Sequence, residues 1–318
     1  MKKPFLTLLP FLSYLCPACH GDDGYRTREE ALLGLDKFDP AEDPYPPELM
    51  GASASEFEPP VPLDGPVNTA GAEDSPFWVP GRGLYFFFTP DPKVPVEEQV
   101  LDGVTGIWWS GGATREAERV RLAESSGTSM DGCAAFEGGD LWFCSVREGN
   151  YNEIDWWIAA CSGAECEAPV NAGRAVNVEL RPGELHLVGG DLYFGSEREG
   201  GQGGLDLWRS TREGSAWSTP LNLGDRVNGA DTEMMPFVST DGLELWWTGV
   251  SRQGRPGPAV WRSRLVDGAW DEAEEILASF AGEPTLDDEG NVVFVHHYFT
   301  EGPGDMIEAD LYLARRRR

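Results

Sequence analysis

Five times along this chain a short apolar-aromatic run follows a glycine-containing turn, and no other feature restricts the fold as much. The runs are Leu84-Tyr85-Phe86, Leu141-Trp142-Phe143, Leu192-Tyr193-Phe194, Leu245-Trp246-Trp247 and Val292-Val293-Phe294, at intervals of 57, 51, 53 and 47 residues. The turns before them read "PGRG", "EGGD", "VGGD", "STDG" and "DDEG". Glycine in such turns accepts the positive φ that tight hairpins need. A second triplet recurs five times as well: "GIWW" from Gly106, "DWWI" from Asp155, "DLWR" from Asp206, "AVWR" from Ala259 and "DLYL" from Asp310. Each unit therefore contains four short strands, and short aromatic-rich strands between Gly, Asp and Pro turns indicate an all-β chain. Four strands repeated in this way make one blade of a β-propeller. The chain is predicted to be a five-bladed β-propeller with four-stranded blades.

The ring must also close. The last strand of a blade carries Trp217, Pro220, Leu221 and Asn228 in one copy and Cys166, Pro169, Val170 and Asn177 in another. The same spacing appears near the start of the chain as Phe57, Pro60, Val61 and Asn68, whereas the fifth unit ends at Leu313 after three strands. The segment from Phe57 to Leu63 is thus expected to supply the missing strand of blade five, which removes two exposed sheet edges. Residues 57–314 make up the propeller on this reading.

The stretch "DLYFGSEREGGQGGLDLWRSTREGSAWSTPLNLGDRVNGADTEMMPFVSTDGLELWWT" resembles the WD40-like propeller repeats of the TolB type, found in exported bacterial proteins. That resemblance implies an envelope-attached binding or scaffolding module without catalytic activity, which engages a protein partner or another envelope component. The alternative is a carbohydrate-active hydrolase or lectin that uses an acidic central funnel.

The chain ends carry their own signals. Lys2 and Lys3, the apolar run Phe5 to Leu15, and Cys16-Pro17-Ala18-Cys19 read as an export signal over residues 1–18. The run is too short to span a bilayer. Two readings of its processing stay open, acylation of Cys19 as in a bacterial lipoprotein or simple cleavage after Ala18. Either one sends the protein to the periplasm or the outer membrane, with a lipid as its sole contact with the bilayer. Residues 19–56 hold acidic residues and prolines ("DPAEDPYPPE") and read as an extended tether, with a short helix near Arg28 as one option. Arg315 to Arg318 read as a solvated basic tail.

The formal net charge of −29 repels phosphate backbones and anionic headgroups, which argues against nucleic-acid binding. A monomer without cofactor is expected.

Export permits disulfides. A hairpin turning at Glu137 to Asp140 places Cys133 opposite Cys144, and a turn at Ser162 to Glu165 places Cys161 opposite Cys166. A zinc half-site or free thiols are the alternatives, although no His lies near enough in sequence to complete a metal site.

Propellers bind ligands at the central funnel. Glu73, Glu179 and Glu233 each stand three residues before a Pro, and Asp74, Asp131 and Glu283 occupy comparable places. A ring of such carboxylates suits a divalent cation, an amine or a basic peptide, or it merely solvates turns. A glycosidase would draw two carboxyl groups from the same set. His296 and His297 alternate along a strand and are expected on opposite faces, one partly buried and one facing solvent.

Overall fold

The computed structural model describes residues 26–124, 129–299 and 306–318; the expected export signal and Cys19 lie outside these. The fold is an all-β, five-bladed propeller. Blade one contains strands Ala72–Val79, Gly83–Thr89, Gly106–Ser110 and Ala117–Arg119. Blade two runs Met130–Glu137, Asp140–Val146 and Asp155–Ser162, and its outer strand is broken into Glu165–Cys166 and Val170–Asn171. Blades three and four repeat this plan, with innermost strands Leu185–Val188 and Glu233–Val238. Blade five contains Ala281–Leu286, Val292–Phe299 and Met306–Ala314, and takes its fourth strand from Val61–Pro62.

The N-terminal strand closes the ring where the repeat places it, with Val61 opposite Leu313 and Pro62 opposite Tyr312. Asn68 locks the closure: its Nδ2 donates to the carbonyls of Leu63 and Leu311, both at 2.9 Å, and its Oδ1 accepts from the Leu311 amide at 3.0 Å. Asn177 and Asn228 make the same two-way bridge to Trp156 and Leu207. The recurring Asp has a matching task. Asp155 and Asp206 are buried, accept from backbone amides of the preceding loop, and accept from Asn171 and Asn222 of the outer strand. The spacing of the repeat is therefore the spacing of an Asp–Asn cross-brace between the third and fourth strands. Asn68→Ala strands the Leu63 carbonyl and the Leu311 amide, while the Leu311 carbonyl keeps the Leu63 amide, and a loss of about 2–4 kcal/mol in urea unfolding is expected.

A second device repeats around the ring. In blades two, three and four an arginine just past the second strand stacks on that blade's aromatic rings: Arg147 on Phe143 and Trp157, Arg198 on Phe194 and Trp208, Arg252 on Trp261, at 4.7–5.4 Å. Arg147 and Arg252 also reach the inner-strand carboxylates Asp131 and Glu233. Blade one takes this cation from elsewhere. Arg28, on a short capped helix Arg28–Ala31, sits over Phe86, Phe88 and Trp108 at 5.3–5.5 Å and pairs with Glu73 at 3.2 Å. In blade five Lys37 lies over Tyr298 and pairs with Glu308 and Asp310.

Residues 26–56 are thus part of the fold, which corrects the expectation of an extended tether. After Lys37 the segment places Asp43 against His296 at 2.8 Å, then adds Glu48–Leu49 to the outer edge of blade four. Asp43, Glu48 and Glu56 pair with propeller side chains, whereas Glu29, Glu30, Asp36, Asp39 and Glu42 stay exposed. Of the basic tail, Arg315, Arg317 and Arg318 are exposed, whereas Arg316 stacks on Phe57 and pairs with Glu56 and Glu244.

Candidate active site

The innermost strands carry an irregularity that aims side chains at the axis. Ser75, Cys133, Met235 and Glu283 all have left-handed backbones, with φ between 48° and 54°. Strand pairing slips at each: between Asp74 and Phe77, Gly132 and Ala135, Met234 and Phe237, and Gly282 and Thr285. These are β-bulges, which re-aim a side chain at the expense of one ladder position. Pro76, Pro236 and Pro284 follow three of them. Glu184, directly before the short inner strand of blade three, stands at the matching place. The five residues line one axial cavity of about 50 Å³, room for a water or two. Below it the channel is plugged by Phe77, Phe136, Phe237 and His186, with ring centroids 4.7–6.2 Å apart. Burial pulls His186 down to about 3, so this plug is uncharged.

Asp74, Glu283 and His297 meet beside the cavity, with their ligand atoms within 4.8 Å of one another. His297 Nε2 stands 3.3 Å from Asp74 Oδ2, and the Ser75 amide donates to Asp74 Oδ1 at 2.8 Å. Burial alone would raise the Asp74 carboxyl. The His297 charge and the hydrogen bonds from His297, Glu283 and Ser75 outweigh it, and Asp74 is held below the usual carboxylate range. Glu283 goes the other way: burial, then repulsion from Asp74 and Glu184, keeps it well above that range. His297 is raised, because the attraction of Asp74 overcomes burial. The trio could close around a small cation, yet its members already satisfy one another without one.

Glu184 is pushed up to about 7, by burial first and then by the Asp74 charge. It also lines a second, larger cavity. This groove between blades two and three has a volume of about 460 Å³ and is bounded by Trp156, Asn152, Ile154, Arg181 and the Cys133–Cys144 disulfide. Its size falls in the range of small-molecule sites. Glu184 therefore links the axial cavity to a groove of that size, with the Asp74 charge near enough to act on it.

Of the six carboxylates expected at the funnel, two converge there, Asp74 and Glu283. Glu73 faces away from the axis toward Arg28 and Thr69, and burial lifts it to about 8. Asp131 and Glu233 turn to Arg147 and Arg252. Glu179 is exposed on a one-turn π-helix, Ala175–Leu180. Alternation explains the first three: each lies two residues before its bulge, with its side chain in the arginine-capped layer between strands. Glu184 and His297 are functional candidates that the sequence pattern did not single out. Anchoring the comparison on the residue 8–10 positions before each aromatic run would have found Glu184. The two histidines do diverge, but neither is a plain surface residue, since His296 is buried against Asp43 and His297 serves Asp74.

Both disulfides are formed, Cys133–Cys144 and Cys161–Cys166. Cys161 and Cys166 stand directly opposite each other. Across from Cys144 is Gly132, because the bulge displaces Cys133 by one position.

No family model matches the chain, and no curated protein matches it. Solved structures similar to it include the α-L-arabinofuranosidase PaAbf62A from Podospora anserina, at 11% identity over 81% of this chain and 95% of that one, TM-score 0.46. A GH43B protein of the xyloglucan locus of Bacteroides ovatus matches at 12% identity, TM-score 0.49, over 80% of this chain. The GH43 protein BlXynB from Bacillus licheniformis matches at 11% identity, TM-score 0.47, over 81%. This chain spans about half of the latter two, 54% each. These findings correct the resemblance to WD40-like repeats of the TolB type, and with it the expectation of a non-catalytic, protein-binding scaffold. The three structures named above are an arabinofuranosidase and two GH43 proteins, peptidases are also among the structures found, and no family model supports the repeat assignment.

Proposed function

We propose that the protein hydrolyses a glycosidic bond at the inner end of the groove between blades two and three. The observation that carries this reading is the opposed proton affinity of Asp74 and Glu184. Neighbouring carboxyl groups whose surroundings push their pKa values apart supply an acid and a base at one pH. Glu184 donates its proton to the leaving-group oxygen as the C–O bond breaks. Asp74 accepts the proton of the attacking water and stabilises the positive charge that develops on the sugar ring. Glu283 is not the acid in this scheme. Its carboxyl lies within 4.8 Å of Asp74, whereas about 6.5–9.5 Å is needed to seat a water between acid and base. It hydrogen-bonds Asp74 and, with His297, keeps that carboxylate ionised.

No step calls for a cofactor. The work is done outside the cytoplasm, a reading supported by the two disulfides and by the signal pattern of residues 1–18.

A panel of 4-nitrophenyl glycosides of both anomers tests the proposal by release of nitrophenol. Turnover is expected below pH about 7 and should fall as pH rises through the Glu184 pKa, because the acid is then lost. Absence of turnover across the panel, or a rate indifferent to loss of both Asp74 and Glu184, would overturn it.

A further inference from the structure

The groove also bears on which sugar is taken, an inference that rests on the hydrolase reading above. Two ionisable side chains line it, Glu184 and Arg181. Burial keeps Glu184 protonated up to about 7, so in the mildly acidic range the charge on the groove wall is a guanidinium. That is an unusual local sign on a chain of net charge −29.

Arg181 is placed there by its backbone. It closes the π-helical turn Ala175–Leu180 in a left-handed conformation, φ 48°, with its amide donating to the Val176 carbonyl at 2.8 Å. Such a backbone is uncommon for a non-glycine residue, and π-type turns occur frequently at functional sites. Pro182 and Gly183 then lead directly to Glu184.

Many arginines of this acidic chain are matched to carboxylates, among them Arg147 to Asp131, Arg252 to Glu233 and Arg262 to Glu56. The Arg181 side chain is exposed, and among the described residues no carboxylate pairs with it.

We propose that Arg181 selects a glycoside whose terminal sugar carries a carboxylate, a uronic acid. A guanidinium matches a carboxylate through two parallel hydrogen bonds. Arg181 lines the same groove as the proton donor Glu184, so a sugar whose carboxylate it holds lies in the space that the donor faces. The overall negative field repels a long polyuronate, which points to a single uronate on an otherwise neutral glycan.

The test uses the full chain with sodium glucuronate and galacturonate, compared with glucose, galactose and galactose 6-sulfate at matched ionic strength, near pH about 6. Calorimetry and thermal shift are read for the wild type, Arg181→Gln and Arg181→Lys. The uronates should bind the wild type more tightly than the neutral sugars or the sulfate. Arg181→Gln should lose about 30-fold of that affinity, as expected when a charge-assisted contact is removed, and Arg181→Lys should keep part of it. On paired 4-nitrophenyl uronides and hexosides, Arg181→Gln should lower kcat/KM for the uronide alone. Equal binding of uronates and neutral sugars, tighter binding of the sulfate, or unchanged uronate affinity in Arg181→Gln would overturn the inference. Turnover of neutral glycosides alone sinks this inference and leaves the hydrolase reading standing. Arginine-dependent uronate binding without turnover of any glycoside does the reverse.

Discussion

A chain lacking residues 1–57 is expected to lose its cooperative unfolding transition, while a chain beginning at residue 26 keeps it. Phe57 is fully buried, with its ring 6.2 Å from that of Trp246 and beneath the Arg262 and Arg316 guanidinium groups. Loss of a buried Phe side chain costs about 3–5 kcal/mol. Removing Arg28 takes away hydrogen bonds to the Val67 and Pro66 carbonyls and to Glu73, together with three ring contacts. Removing Lys37 leaves Glu308 and Asp310 buried without their cation, and breaking a buried pair from one side costs about 3–5 kcal/mol. Met50 leaves the core of blade four as well. Together these losses rival the whole stability of an ordinary domain, about 5–15 kcal/mol. Circular dichroism with thermal melting of the two truncated chains decides the matter. Similar melting temperatures would mean that residues 26–57 merely lie on the propeller, as the tether expectation has it.

Asp74→Asn and Glu184→Gln should both abolish most glycoside turnover, and they should do so differently. Loss of a positioned acid or base lowers the rate by roughly a hundred- to ten-thousandfold. Asp74→Asn removes the group that activates water, so every substrate suffers alike. Glu184→Gln removes the proton donor, so substrates with alkoxide or 4-nitrophenolate leaving groups suffer most. A 2,4-dinitrophenyl glycoside, whose leaving group departs without a proton, should be largely spared at the bond-breaking step. The alkaline fall of kcat/KM near pH about 7 should also vanish in Glu184→Gln, because that limb is the loss of the Glu184 proton. The acid limb, set by Asp74, should stay. Were both variants to show one leaving-group dependence and one pH profile, the assignment of roles would be wrong.

Much of the scaffold was readable from residue order alone. The strand plan, the number of blades and the ring closure by Val61 and Pro62 follow from the spacing of aromatic triplets and of Asn68, Asn177 and Asn228. The two cysteine pairs follow from hairpin geometry. These features are local or periodic, and period-two and hairpin logic reaches them.

The site was less legible, for three physical reasons. A bulge reverses which side chain faces the axis, so Glu73 and Glu233 read as funnel residues although they lie in the layer of arginine contacts. Blade three has Leu185 where the matching proline would stand, and Pro182, three residues early, drew the comparison to Glu179 and away from Glu184. The cations of blades one and five come from outside the repeat. Arg28 and Lys37 look like parts of a solvated acidic leader until their buried partners, Glu73, Glu308 and Asp310, are seen. Composition marks such a segment as disordered because it counts charges and does not know which of them are matched.

The bulges have a consequence for how a propeller like this can change its chemistry. Ser75, Met235 and Glu283 project from kinks whose backbone conformation is already taken up by the sheet, and all three line the axial cavity. A substitution at any of them rewrites the floor of the cavity without moving a strand. The ring behaves as a socket with interchangeable pins, where hydroxyl, thioether and carboxyl side chains already coexist. A library restricted to these positions should therefore sample new ligand chemistries on an unchanged frame, whereas changes two residues earlier, at the arginine-capped Glu73 and Glu233, should mostly yield chains that fail to fold.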